Sequence, residues 1–397
     1  MTYTIRLLSL LAFIGFFASC EDDDTSLTPT LEVPDTYTFE RAGTSTVSFS
    51  GQTTRLAMAA ELNEALLDPT KSRDDLNNMF RNTAGTTPFA DAELNASTKS
   101  VRSKVAASSA LFATNSVDAA AIKADFDAYI TGQSLEVFTN WNEMAAPGQP
   151  GQVADGGSAR YVSALGLEYN QAFVKGLIGG LMYDQLANNY LDNSVLDAGT
   201  NRADNDAAIT ADGKPYTTME HKWDEGFGYL FGGSATPATP LDDLGSADGF
   251  LNKYLGRVEG DEDYAGIAET VATAFRTGRA AIVAGDYAER DRQADIIIEN
   301  LSDVIAIRAI YYLMQGKAAL EANPQNTGGA FHDLSEGYGF IYSLRFIGGD
   351  RTGSDAYLLT LLNEDNGGFW TLDPAVLETL ANEIGAAYGI DVAKAAQ

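Results

Sequence analysis

One pattern occurs twice in this chain. The first copy reads His221-Lys222-Trp223-Asp224-Glu225-Gly226-Phe227-Gly228-Tyr229-Leu230-Phe231, and the second reads His332-Asp333-Leu334-Ser335-Glu336-Gly337-Tyr338-Gly339-Phe340-Ile341-Tyr342. Both are His-x-x-x-Glu-Gly-aromatic-Gly-aromatic-aliphatic-aromatic, and His221 and His332 are the only histidines in 397 residues. So many matched positions mark an internal duplication, which predicts a body of two related halves facing each other across a pseudo-two-fold axis.

The hydrophobic spacing makes those halves helical. Leu56, Ala59, Ala60, Leu62, Leu66 and Leu67 fall on one helical face before Pro69. Further helices are expected over 74–80, 92–112 and 117–130, then over about 159–191 and about 264–320, the last broken near Gly285. Residues 37–41 and 46–49 alternate around Ala42-Gly43 and predict one small β-hairpin. Gly148, Pro150, Gly151, Gly156 and Gly157 read as a flexible break, and 192–218 as a long polar insertion. The expected fold class is therefore all-α: two pseudo-symmetric helical bundles with a small N-terminal β-hairpin.

The first residues read as an address. Arg6 precedes an apolar run, Leu7 to Phe17, of secretory length but too short to span a membrane as a helix. Small residues Ala18 and Ser19 lead into Cys20, the only cysteine, in the manner of a bacterial lipobox with Phe17 in place of the usual Leu. The expected organisation is a lipoprotein signal peptide over 1–19, an acidic tether over 20–33, the hairpin and first helical half over 34–235, and the second helical half over 236–397. Lipidation at Cys20 would give a membrane lipid anchor and an outer-membrane lipoprotein, periplasmic or surface-exposed. Glu21-Asp22-Asp23-Asp24 is either a solvated tether or a surface-export signal.

Composition removes several functions. With 26 Lys and Arg against 55 Asp and Glu, the net charge of −29 repels phosphate backbones, so nucleic acid is not an expected partner. A lone Cys excludes a disulfide framework and a Cys-rich zinc site. No nucleophile elbow, zincin helix or phosphate loop is present. Asp204-Asn205-Asp206 before Asp212-Gly213 lacks the spacing and closing Glu of a calcium loop.

The duplicated pattern carries the candidate site. In a helix, residues four apart share a face, so His221 with Glu225 and His332 with Glu336 each present an imidazole beside a carboxylate. Converging halves would assemble two His and two Glu, a ligand set for iron, zinc or manganese. Gly226, Gly228, Gly337 and Gly339 would let backbones cross closely, since each costs about 1 kcal/mol of helix stability relative to Ala and needs a reason. Close crossing alone, with each His bonded to its own Glu, is the competing reading; an acid–base enzyme is the third. Arg308, Glu299 and Asp303 either support the histidines or line an exposed face.

Val33-Pro34-Asp35-Thr36-Tyr37-Thr38-Phe39-Glu40-Arg41, Phe49-Ser50-Gly51-Gln52 and the two His-x-x-x-Glu-Gly elements resemble an uncharacterised family of exported Gram-negative lipoproteins, a domain of unknown function. That architecture is similar to the imelysin-like proteins, helical tandem bundles associated with iron uptake and labelled peptidases. Their Gly-x-His-x-x-Glu signature matches here only at His221, with Asp224 standing where Glu is expected. The resemblance carries over no activity and no metal specificity; the duplicated His–Glu set and the acidic surface point to a non-catalytic envelope protein that binds or handles a metal, iron or zinc. A His/Glu-dependent hydrolase and a metal-free scaffold that binds an envelope protein partner are the alternatives.

Overall fold

A computed structural model describes residues 31–348 and 353–397. The expected signal peptide, Cys20 and the acidic run at 21–24 lie outside the described residues. The chain is mostly helical, as the spacing predicts. Its longer helices are α1 (Ser50–Ala65), α2 (Arg73–Arg81), α3 (Ser116–Gly132), α4 (Tyr169–Leu177), α5 (Thr218–Phe231), α6 (Leu251–Glu259), α7 (Ile267–Ala284), α8 (Tyr287–Glu321), α9 (Thr327–Leu344), α10 (Ser354–Leu362) and α11 (Pro374–Tyr388). No described helix is long and apolar enough to cross a membrane.

Helix boundaries follow local chemistry. Ser72 and Asp75 form a capping box on α2, as Thr217 and Glu220 do on α5. Asp373 caps α11, whose first residue is Pro374. Gly285, at φ +73°, ends α7 in the left-handed conformation that a side chain disfavours, and this is where the predicted 264–320 helix breaks. After Gly285, α8 runs for 35 residues and packs on α7, α9 and α11.

Three expectations need correction. The helix over 92–112 is instead two short helices, Ala92–Ala96 and Ser109–Phe112, with a 3₁₀ turn between them. The glycine-rich break is a second antiparallel hairpin, β3 (Gly151–Asp155) with β4 (Ser158–Val162), after the short β1 (Glu40–Arg41) and β2 (Thr44–Ser45). Gly156, at φ +56°, makes the turn possible. The helix placed over 159–191 accordingly starts only at Tyr169 and continues through π-helical turns to Tyr190.

The buried apolar residues form one contiguous cluster from Tyr37 to Ala395. Helices from both ends of the sequence interleave within it: α9 packs on α4, and α5 packs on α1 and α7. The segment before α1 lies on α5, with the Tyr37 ring stacked on Phe227 at 3.7 Å.

Candidate functional site: two copies of a His-x-x-x-Glu element

Both motifs are helical, as predicted, the first in α5 and the second in α9. Their second glycines mark crossings. A Cβ on Gly228 would lie 2.5 Å from Phe49 Cβ and 3.0 Å from Gln52 Cβ. A Cβ on Gly339 would collide with Lys175 Cβ and lie 3.1 Å from the Gly176 nitrogen. The helix beneath each crossing supplies the group that holds the motif glutamate. Gln52 Nε2 donates to Glu225 Oε1 at 3.1 Å, and Lys175 Nζ stands 3.1 Å from Glu336 Oε1.

The first glycines match too. Gly226 faces Tyr190 and Leu191, and Gly337 faces Tyr312 and Leu313. In each copy a Tyr-Leu pair on a neighbouring segment faces the first glycine, with Tyr190 beside Glu225 and Tyr312 beside Glu336. Gly339→Ala should cost about 1–3 kcal/mol because backbone must shift, and Gly226→Ala less, because its nearest atom is the movable Leu191 Cδ2 at 3.2 Å. Equal losses in thermal melts would show that close crossing is not what the second glycine serves.

The two histidines sit differently. His221 Nδ1 lies 3.0 Å from the Ser48 carbonyl oxygen, and the ring stacks on Tyr216 at 4.5 Å. A carbonyl only accepts, so Nδ1 carries the proton. Burial holds the His221 pKa below its usual value, against the pull of Glu225, so Nε2 is an acceptor at neutral pH. His332 Nδ1 is 2.6 Å from Glu168 Oε2, and its Nε2 is 3.8 Å from Glu336 Oε1. Burial would lower its pKa, yet the bond and charge of Glu168, aided by Glu336, raise it.

No described contact links the two pairs. Each carboxylate is neutralised by an ammonium, Glu225 by Lys222 at 3.0 Å and Glu336 by Lys175, and both are held below the ordinary Glu pKa against burial. Among the described residues no group of three or more His, Cys, Asp or Glu is placed to hold a metal ion. Among the described residues, His221, Glu225, His332 and Glu336 are therefore not brought together as one ligand set. Asp224 belongs elsewhere, buried in an ion pair with Arg279 at 3.0 Å.

What surrounds His221 was not legible in the motif. A pocket of about 330 Å³ opens over His221 and Glu225, and Arg55, Lys99, Lys104, Lys214 and Lys222 all line it. Among the described residues Glu225 is the only carboxylate that lines it. Lys104 and Lys222 stand 5.6 and 5.4 Å from the centroid of the Tyr190 ring. Burial lowers the Lys104 pKa, and the charges of Arg55, Lys222 and Lys99 lower it further. Lys222 alone of the five pairs with a carboxylate among the described residues.

A family model matches residues 34–391. The chain belongs to that family, a domain of unknown function (DUF4856). Neither a curated protein nor a solved structure matches it. The DUF4856 span contains both His-x-x-x-Glu elements, the His221 pocket and both hairpins.

Proposed function

We propose that this DUF4856 protein is a non-catalytic binding protein of the cell envelope, anchored through Cys20, that captures a small anionic ligand in the His221 pocket. The observation that carries this reading is the gathering of five cationic side chains around one carboxylate in a chain with 26 basic and 55 acidic residues. Cations in so acidic a protein would lower their energy by pairing with the abundant carboxylates, and like charges held together without them favour an anion. Lysines act as point charges, while Gln52, Ser48 and Ser50 add polar groups. His221, neutral, orients the wall through Ser48 and accepts at Nε2.

Calorimetry of the full mature chain with inorganic phosphate and with citrate tests the proposal. Wild type should bind, and Lys99→Ala with Lys104→Ala should weaken binding by about tenfold or more. An anion beside Lys104 favours its charged form against the burial and the neighbouring cations that lower its pKa, so binding takes up protons. Affinity falls as pH rises through that depressed value, and it also falls with added salt. Unchanged affinity in the double variant would remove the proposal.

A further inference from the structure

The second copy gathers unpaired cations as well. The ring of Tyr254 on α6 has Lys175 Nζ 5.3 Å, Lys253 Nζ 5.7 Å and the Arg308 guanidinium carbon 5.7 Å from its centroid. Arg257 follows Lys253 by four residues on α6, and so lies on the same face. Lys175 is satisfied by Glu336, but Lys253, Arg257 and Arg308 form no ion pair among the described residues.

Arg308 is the sharpest case. Its guanidinium carbon lies 3.8 Å from the centroid of Tyr311 and 4.6 Å from that of Tyr312. Rings this close occupy the cation by its π contacts and leave in-plane N–H donors to be satisfied separately. Arg308 is only 8% exposed, and its Nε has no hydrogen-bond partner among the described residues. A buried charged donor without an acceptor costs more than an ordinary unmade bond, so the position calls for one. Lys253 is half-buried and Arg257 exposed, which keeps the cluster open to solvent on one side.

We infer that Arg308, Lys253 and Arg257 form a second binding site for an oxyanion, a carboxylate or phosphate group, on the Tyr254 face. The planar fork of Arg308 receives two oxygens and the other two cations neutralise the charge. The site stands on residues separate from the His221 pocket and does not need that pocket to bind.

Four forms of the mature chain test it by calorimetry in low-chloride buffer: wild type, Lys99→Ala with Lys104→Ala, Lys253→Ala with Arg257→Ala, and all four changes together. Inorganic phosphate in one arm and citrate in the other distinguish a phosphate from a carboxylate ligand. Wild type should bind two equivalents of the preferred probe. Each pair variant should lose one of them by about tenfold or more, and the fourfold variant both. Arg308→Lys, which keeps the charge without the fork, should weaken the second event alone. Binding in the Lys253/Arg257 variant identical to wild type in stoichiometry and affinity overturns the second site. If a single event disappears only in that variant, the His221 proposal falls and this one stands. Binding of neither probe to wild type overturns both.

Discussion

Arg279→Met should destabilise the protein by about 3–5 kcal/mol, the loss expected when one partner of a buried ion network is removed and its carboxylates stay behind. Arg279 is fully buried on α7. It donates from Nε to Asp224 at 3.0 Å, from Nη1 to Glu220 at 3.2 Å and from Nη2 to the Thr46 hydroxyl at 2.9 Å. Asp224 also accepts from the Tyr37 hydroxyl at 2.8 Å and from the Ser48 backbone N–H at 3.2 Å. Glu220 takes two further bonds from Arg41. One guanidinium thus ties α5, α7 and the segment before α1 into a unit.

The pH dependence has a definite sign. Burial raises Asp224 to about 6 even with Arg279 beside it. Without that cation the carboxyl moves higher still. A carboxyl whose folded pKa lies above its unfolded one favours the folded state at low pH and loses that advantage as pH rises through the folded value. The deficit of the Arg279→Met variant against wild type should therefore be largest above about pH 6 and shrink as the medium is acidified. Chemical denaturation at several pH values measures this, and a pH-independent deficit would show that Asp224 is not the group left stranded. Because Ser48 belongs to the same unit and fixes His221, the variant should also lose anion binding.

Much of the fold was readable because its signals are local. The apolar period set most of the long helices, and Gly285 marked the break between α7 and α8. The second hairpin escaped because Gly148, Gly151, Gly156 and Gly157 obscure a strand whose partner, Ser158–Val162, resembles the start of a helix by composition. It is held by pairing and by the stacking of Trp141 on Tyr161 at 3.4 Å, neither of which a linear pattern displays.

Of the site, the His–Glu spacing and the glycine crossings were legible, because both are set within one helix. The environment was not. Lys99, Lys104 and Arg55 come from segments more than a hundred residues before His221, and only tertiary packing brings them to it. The Tyr-Leu pairs at 190–191 and 312–313 that face the first glycines lie at different distances before the two histidines, so no linear pattern joins them to the motif.

The matched architecture hides an energetic difference, and Glu336→Gln with Glu225→Gln exposes it. Side chains of Glu336 and Lys175 are 8% and 5% exposed, whereas Lys222 beside Glu225 is 31% exposed. Removing the Glu336 charge leaves Lys175 buried without a counter-ion, for a loss of about 3–5 kcal/mol. Removing the Glu225 charge frees an ammonium that can turn to water, and should cost about 1 kcal/mol or less. Glu336→Met combined with Lys175→Met should recover most of the larger loss, because a buried pair replaced together by apolar groups of similar volume leaves nothing uncompensated. Across the copies the cycle should be flat: His221→Ala and Glu336→Gln share no described partner and should add within about 0.5 kcal/mol. Strong coupling between them would require the two copies to share a site. Additivity, with unequal costs, would mean that the same motif serves two ends, a buried strut in α9 and the wall of an open pocket in α5.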